Sequence, residues 1–184
     1  MYQGERGAFG EVAIQQVWGA GAIAISAYSF EEVVDAVAKG RADAGVLPVE
    51  NAIVGPVHQS LRALKACSAV HVVGETVVSV DLALMAIPGV AIEDVRHVSS
   101  HPVALAQCTK WFASRPHIAT VPVYDTAGAA CMLAEHRDTR GGAIAGVAAA
   151  ARYGLHVLDD RVANRTDNTT RFVVIARPAA VGPT

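Results

Sequence analysis

Short apolar segments that end in polar residues alternate with stretches of helical periodicity along most of this chain of 184 residues. Ser29-Phe30-Glu31-Glu32 has the pattern of a capping box and opens a helix that Gly40 closes. The apolar segment Ala44–Pro48 follows it as a buried strand. Strands that alternate with helices favour an α/β fold with mostly parallel sheets, because helical crossovers join parallel neighbours. The alternation therefore predicts the α/β class.

Long extended segments interrupt this alternation near the middle of the chain. They are Val70–Val73 and Val77–Met85, on either side of Gly74-Glu75. Such segments suit a crossing between two lobes, and the polar residues 159–171 would form the return crossing. We therefore predict two α/β lobes with a central ligand cleft, divided into a first lobe of residues 1–76 plus 169–177, a second lobe of residues 77–168, and a tail or linker of residues 178–184.

Composition excludes several classes of protein. A formal net charge of −2, with no cluster of Lys or Arg, gives no electrostatic footprint for nucleic acid. No apolar run is long enough for a membrane span, and no signal segment opens the chain. Cys67, Cys108 and Cys131 predict reduced, mostly buried thiols in a cytoplasmic protein, the last two on apolar helix faces. The histidines have no metal-ligand spacing, so no metal site is predicted.

Local patterns predict where several elements begin. A Ser cap followed by Pro102 starts a helix that continues to Trp111. Asp125-Thr126 caps another helix, and Ile23–Ala27 alternates as a short strand.

The stretch Asn168–Ile175 combines an apolar strand with a hydroxyl and a guanidinium at its entrance, on Thr170 and Arg171. These two groups could meet an anionic small molecule, or they could simply cap a last strand that carries a surface Arg. Four strand-to-helix loops offer possible partners, because helix N-termini present free N–H groups to anions. The loops are Gln3–Ala8, Glu50–Gly55, Ser99–His101 and Tyr124–Thr126. The sequence thus predicts either a site for a small carboxylate-bearing molecule or a set of ordinary helix caps.

Five motifs, in order, cover essentially the whole chain: Tyr2-Gln3-Gly4-Glu5-Arg6-Gly7-Ala8-Phe9, Leu47-Pro48-Val49-Glu50-Asn51, Ser100-His101-Pro102 with Ala104-Leu105 and Gln107-Cys108, Asp125-Thr126-Ala127, and Asn168 with Thr170-Arg171-Phe172. Together they resemble the catalytic domain of prephenate dehydratases and their arogenate dehydratase relatives. The resemblance implies a two-lobed fold similar to type II periplasmic binding proteins. It also implies a cytoplasmic homodimer or homotetramer with no cofactor. The implied reaction is a hydro-lyase reaction, the decarboxylating dehydration of prephenate to phenylpyruvate in L-phenylalanine biosynthesis.

The resemblance also implies roles for the residues that match its motifs. Thr170 would donate a hydrogen bond or proton to the leaving hydroxyl. Arg171 would hold a substrate carboxylate or order the threonine loop, and Phe172 would pack beneath the ring. Glu50 and Asn51 would line the cleft and orient the substrate or Thr170.

Further motif residues are implied as contacts for the rest of the substrate. Ser100, Thr126 and the N–H groups of Ala8 and Ala127 would receive carboxylates or the keto oxygen. His101, Asp125 and Asn168 are expected to bind substrate as members of the same motifs.

Three departures from the family pattern leave the substrate open. Ala8 and Gly10 replace Thr and Ser of many members, and Ala52 replaces a common Ser. The version Gly7-Ala8-Phe9 is similar to the arogenate-using branch, so arogenate is an alternative to prephenate. Nothing in the chain resembles the regulatory ACT domain of the family. A non-catalytic module that binds an aromatic acid on the same fold is the second alternative.

Overall fold

The structure is a computed structural model that describes residues 1–178, and it divides into two compact units. Unit 1 contains Met1–Gln3, Gly10–Ser79 and the segment that begins at Thr169, and unit 2 contains Gly4–Phe9 and Val80–Asn168. The predicted division between residues 76 and 77 lies between residues 79 and 80 instead, and residues 4–9 belong to unit 2. Of the predicted tail, residues 179–184 lie outside the described residues.

The elements up to residue 79 are β1 (Tyr2–Gln3), α1 (Phe9–Trp18), β2 (Ser26–Ala27), α2 (Phe30–Ala38), β3 (Ala44–Asn51), β4 (Gly55–Pro56), α3 (His58–Lys65) and β5 (His71–Ser79). Those that follow are β6 (Leu82–Ala86), β7 (His97–Ser100), α4 (Pro102–Ala106), α5 (Thr109–Ala113), β8 (Ala119–Pro122), α6 (Thr126–His136), β9 (Gly141–Gly146), α7 (Val147–Tyr153), β10 (His156–Asp159) and β11 (Thr169–Ala176). None of the helices in the described part of the chain is both long and apolar enough to cross a membrane.

The main sheet of unit 1 has the strand order β4-β3-β11-β5, and every neighbouring pair is antiparallel. The expectation of mostly parallel sheets is therefore wrong for this unit. The chain leaves the unit through β5 and returns through β11, and these two long strands pair in opposite directions over residues 169–176. No helical crossover joins them, so the alternation of strands and helices does not predict their direction.

Helix α2 covers this sheet and begins as the sequence predicts. The Ser29 hydroxyl accepts the N–H of Glu32 at 3.1 Å, and the Glu32 carboxylate accepts the N–H of Tyr28 at 2.9 Å. Its fully buried Val33 and Val37 belong to a core cluster with Leu47 of β3 and Ile175 of β11, among others. The capping pattern thus fixes the start of a helix whose apolar face packs on the central strands.

The sheet of unit 2 has the order β10-β6-β9-β7-β8 and is mixed. Strand β7 runs parallel to both β8 and β9, whereas β6 is antiparallel to its two neighbours. The unit has its own core, in which Leu84, Val98 and Ile144 are fully buried with Trp111 packed beside them. The α/β class predicted from the sequence is confirmed in both units.

Two predicted strands differ from those observed. Strand β5 continues through Gly74-Glu75 instead of breaking there, because it pairs with β11 along its whole length. The break falls later, between β5 and β6. The predicted strand at Ile23–Ala27 shrinks to the two residues of β2, since β1 offers only two residues for pairing, and Ile23 is 88% exposed.

The helix predicted from Pro102 to Trp111 is divided into α4 and α5 by a contact from a distant loop. The carbonyl of Gln107 accepts the N–H of Asn164 at 2.6 Å. The Asn164 side chain then accepts the N–H of Lys110 at 3.0 Å and donates to the Thr109 hydroxyl at 2.8 Å. Asn164 therefore supplies a cap for α5 from 54 residues away along the chain, which sequence periodicity does not show.

The three thiols differ in burial more than the sequence predicts. Cys108 is buried, and burial raises its pKa to about 12. Cys67 and Cys131 are only half-buried. The expectation that Cys131 lies in the core is wrong, because its helix face also carries Glu135, whose carboxylate accepts the thiol hydrogen at 3.5 Å.

The packing of β3 against α2 predicts a steep cost for one added methyl group. A Cβ on Gly45 would lie 2.7 Å from Cγ1 of Val33, so we expect Gly45→Ala to lower the free energy of unfolding by about 1–3 kcal/mol. Gly21→Ala is the matched control, because a Cβ there meets no atom within 4 Å. Urea denaturation of both variants measures the difference, and equal stabilities would contradict the packing described here.

Candidate active site

The hydroxyl of Thr170 lies at the start of β11, beside the amide of Asn51 at the end of β3. The two residues are direct cross-strand partners, and each is 8% exposed. The Asn51 Nδ2 donates to the Thr170 Oγ1 at 2.9 Å and to the Thr169 carbonyl at 3.1 Å. The structure therefore brings together two of the residues that the sequence singles out.

The orientation of the Asn51 amide is fixed by two backbone groups. Its Oδ1 accepts the N–H of Ile53 at 3.0 Å and that of Val54 at 3.1 Å. Because the oxygen must face these donors, the nitrogen must face Thr170. The threonine oxygen thus accepts a hydrogen bond from Asn51, and its own hydrogen stays available. Within the described part of the chain, Asn51 is the only hydrogen-bond partner of this hydroxyl.

Arg171 lies between two carboxylates, one on each of the strands that flank β11. Its guanidinium contacts Glu50 of β3 at 3.1 Å and Glu75 of β5 at 3.3 Å. The hydrogen bonds to Glu50 and Glu75 raise the pKa of Arg171. Successive side chains of a strand point to opposite faces, so Arg171 and Glu50 face away from Thr170 and Asn51. The two ion pairs connect β11 to β3 and to β5. Because two carboxylates contact one guanidinium, the group as a whole carries an excess of negative charge.

Phe172 is the third residue of this predicted group, and it is 4% exposed on β11. It follows Thr170 by two positions, with a register shift against β3 between Arg171 and Phe172. The shift inserts an extra residue, Val49, into the opposite strand. The ring is therefore buried near the start of β11, two residues after Thr170 on the same strand.

In unit 2, Asp125 caps α6 as the sequence predicts. Its Oδ1 accepts the N–H of Gly128 at 2.8 Å. Burial raises the pKa of this carboxyl, although N–H groups of Gly128 and Ala127 partly oppose that effect. Gly4, with φ of +111°, lies against Asp125, since a Cβ there would be 2.9 Å from Oδ2. The Tyr124 hydroxyl donates to Glu5 at 3.1 Å, so the loops at residues 4–8 and 124–126 are joined.

The two N–H groups predicted to receive substrate carboxylates already have partners. The N–H of Ala8 donates to the carbonyl of Glu5 at 3.1 Å, and that of Ala127 faces the Asp125 carboxylate. Thr126 is the first residue of α6, and its hydroxyl has no hydrogen-bond partner among residues 1–178. Of this set, Thr126 is the donor that the structure leaves open.

His101 has the capping role that the sequence assigns to a serine. Ser100 ends β7, is fully buried, and donates its hydroxyl hydrogen to the Ile144 carbonyl at 2.6 Å. The cap of α4 is His101, whose Nδ1 accepts the N–H of Val103 at 3.2 Å. The expected Ser cap is therefore wrong, because strand pairing extends through Ser100 and leaves the next residue to cap the helix.

Asn168 is 2% exposed and donates through Nδ2 to the Gln107 side-chain oxygen at 2.8 Å. Gln107 belongs to a matched motif, yet sequence reasoning did not assign it to the site. A polar residue between Ala106 and Cys108 in an otherwise apolar helix is the signal that could have found it.

The predicted residues thus form a group in unit 1 around Thr170 and further groups in unit 2 around Asp125, Ser100 and Asn168. That all of them line one cleft stays a prediction. Among the described residues, no group of three or more His, Cys, Asp or Glu side chains is arranged to hold a metal ion.

Comparisons with known proteins extend over the whole described chain. A family model described as prephenate dehydratase matches residues 1–180. Arogenate dehydratase 2 of Petunia hybrida is 38% identical over 96% of this chain and 44% of its own length. A bifunctional N-acyl-homoserine lactone acylase/prephenate dehydratase of Komagataeibacter europaeus is 34% identical over 99% of this chain and 64% of its own.

A solved structure agrees with the fold. Prephenate dehydratase of Arthrobacter aurescens, in complex with L-Phe, superposes with a TM-score of 0.88 at 33% identity. The match covers 100% of this chain and 62% of that one. The chain thus spans less than half of the Petunia relative and under two thirds of these two bacterial ones.

The raised pKa of Asp125 predicts a pH-dependent difference in stability. A carboxyl whose folded pKa is raised stabilises the fold while protonated, and this contribution is lost as pH rises through the folded pKa. Asn keeps the capping oxygen but cannot ionise. We therefore expect Asp125→Asn to gain stability relative to the unaltered chain between about pH 4 and about pH 7.

Urea denaturation at both pH values checks this expectation. Asp160→Asn is the control, because its carboxylate is 75% exposed beside Arg161. A loss of relative stability in Asp125→Asn as the pH rises would contradict the environment assigned to Asp125.

Proposed function

The chain belongs to the prephenate dehydratase family, and on this premise we propose that it catalyses the cofactor-free conversion of prephenate to phenylpyruvate. Prephenate loses its ring carboxylate as carbon dioxide and its ring hydroxyl as water, after one proton has been supplied to the hydroxyl. The ring becomes aromatic in the product, which drives the elimination. The main task of the protein is therefore to help the hydroxyl leave.

The observation that carries this proposal is the hydrogen bond from Asn51 to Thr170. Because Asn51 occupies an acceptor position of the threonine oxygen, the Thr170 hydrogen is free to be donated to the leaving oxygen. Ile53 and Val54 prevent the amide from reversing, so the direction of donation is preset. Both side chains are buried, and a preset donor in such surroundings is worth more than one in water.

The contacts of Arg171 favour a role in ordering β11, the strand that carries Thr170, and disfavour a role in binding a substrate carboxylate. Two carboxylates already surround its guanidinium, and strand alternation directs it away from Thr170. We propose that Glu50 and Glu75 act together with Arg171 in ordering this strand. Phe172 supports the substrate ring from the Thr170 side of the strand.

In unit 2, we propose Thr126 as a donor to a substrate carboxylate or keto oxygen, because its hydroxyl has no partner among the described residues. His101 uses Nδ1 for its cap, which leaves Nε2 for substrate. Ser100, Ala8 and Ala127 would act by shaping these loops, since their donors are occupied. Asp125 holds α6 in place, and Asn168 orients Gln107.

Arogenate is the alternative substrate, with the same chemistry and phenylalanine as product. It is supported by the Gly7-Ala8-Phe9 sequence and by relatives named arogenate dehydratase. The place in phenylalanine biosynthesis, the cytoplasmic location and the homo-oligomeric state stay predictions.

The proposed activity is tested by incubating the protein with prephenate and following phenylpyruvate absorbance in alkali, with arogenate run in parallel. We expect Thr170→Ala to lower kcat by about 10²–10⁴-fold, because it removes the proton donor. Thr170→Ser is the matched control, since it keeps a hydroxyl beside Asn51, and it should retain most of the activity.

Circular dichroism must show that both variants are folded. A folded protein that binds prephenate but forms no product from either substrate would instead be the non-catalytic binding module. Near-normal turnover by Thr170→Ala would contradict the role of Thr170 but not the proposed reaction.

The two roles considered for Arg171 predict different kinetics. If it orders the strand, Arg171→Gln and Glu75→Gln should each lower kcat by no more than about fivefold, with KM nearly unchanged, because exposed ion pairs contribute little. If it binds a substrate carboxylate, Arg171→Gln should raise KM more than about tenfold. Glu75→Gln would not raise KM in that case, because it removes one of the two carboxylates that compete with substrate for the guanidinium. Steady-state kinetics of both variants distinguish the two roles.

A further inference from the structure

A concave site lies within unit 2, on a part of α6 and of the strands beside it whose side chains the proposed reaction does not use. It is a pocket of about 270 Å³ between α6, from Ala129 to His136, and the strands β7, β8 and β9. Strands β7 and β8 are parallel, and their carboxyl ends lead to His101 and to Asp125. His97 at the opposite, amino end of β7 lines the pocket, as does His136 at the C-terminal end of α6. Asp125 and Thr126, at the N-terminus of α6, do not line the pocket.

One part of the pocket wall is apolar and could contact a hydrocarbon body. Val121 and Val123 contribute from the β8 side, and Met132 and Leu133 contribute from α6. Val121 is 37% exposed, so its side chain is accessible from solvent. The volume is at the low end for ligand pockets and suits a molecule of only a few carbon atoms.

The polar part of the wall is built around a carboxylate. Asp138 Oδ2 lies 2.9 Å from Nε2 of His97, and its Oδ1 accepts the N–H of Arg140 at 2.9 Å. The hydrogen bond from Arg140 lowers the pKa of Asp138, so its carboxylate is charged at neutral pH. A Cβ on Gly141 would lie 2.8 Å from the Asp138 Oδ2, so the glycine preserves the space beside the pair.

Two more polar side chains line the pocket without a partner of their own. Neither the Ser99 hydroxyl nor the His136 imidazole makes a hydrogen bond to another side chain or backbone group in the described part of the chain. Both can accept hydrogen bonds, the imidazole when it is neutral. A ligand with several donors would therefore find acceptors on Asp138, Ser99 and His136.

The charges around the pocket favour a cation over an anion. Within residues 1–178, no lysine or arginine side chain lines it, and Asp138 is its one carboxylate. The C-terminal end of a helix carries partial negative charge, and His136 is the last residue of α6. An ammonium group has three hydrogen-bond donors, one for each of the three acceptors. Its positive charge is opposite to that of the Asp138 carboxylate.

We propose that this pocket binds a small primary amine with a short hydrocarbon body. The ammonium group lies beside Asp138, with Ser99 and His136 as further acceptors. The hydrocarbon body packs on the valine, methionine and leucine side chains of the wall.

The test compares three probes that share one hydrocarbon body: 3-methylbutylamine, 3-methylbutanol and 3-methylbutanoate. Each is titrated into the ¹⁵N-labelled chain at pH 8, at which an ordinary histidine side chain is neutral. We expect the amine to shift the amide signals of His97, Ser99 and Gly141. With about six non-hydrogen atoms, it should saturate at roughly millimolar concentration. The alcohol should bind more weakly, and the carboxylate should cause no saturable shift.

Asp138→Asn should weaken binding of the amine about tenfold, because a hydrogen bond to a charged group is lost. Asp160→Asn, which alters an exposed carboxylate outside the pocket, should leave it unchanged. If Asp138→Asn fails to fold, His136→Leu serves in its place, since His136 is exposed and its side chain makes no hydrogen bond within residues 1–178. This variant should weaken binding of the amine several-fold.

Three results would overturn the proposal. They are equal or tighter binding of the carboxylate, absence of pocket shifts with all three probes, and unchanged affinity for the amine in both pocket variants.

Discussion

The pairing of β11 with β3 is the constraint on which the candidate site depends. It places Thr170 opposite Asn51, although 119 residues separate them along the chain. Strand β11, the last strand within residues 1–178, lies between β3 and β5, which come much earlier in the sequence, and it is antiparallel to both. One register therefore fixes the donor–acceptor relation at Thr170 and the burial of the apolar residues that follow it.

The same register uses both faces of the sheet for different purposes. On one face, Asn51 directs the hydrogen of Thr170. On the other, Arg171 joins carboxylates from the two flanking strands. Each such exposed ion pair contributes little to the free energy of folding, but both resist a slip of β11 by one residue. A slip of that size would turn Thr170 to the opposite face and bring Arg171 into its place.

Helix caps in unit 2 show how far tertiary contacts alter a local pattern. Asp125 caps α6 from within its own sequence motif, as predicted. Helix α4 is capped by His101 because strand pairing includes Ser100, and α5 is capped by Asn164 from a distant loop. The donors that substrate was expected to meet at Ala8 and Ala127 are likewise occupied by neighbouring loop atoms. The sequence thus marks which residues can donate or accept, and tertiary contacts decide which of them become partners.

The sequence by itself determined the α/β class, the start of α2 and α6, and the position of Thr170 at the entrance of a buried strand. These follow from periodicity and capping, which act over a few residues. Only the tertiary structure decided that the main sheet of unit 1 is antiparallel, that Asn51 orients Thr170, and that Arg171 faces the other way with Glu50 and Glu75. Strand direction, register and long-range hydrogen bonds depend on residues far apart in the chain, and no local pattern specifies which of them will meet.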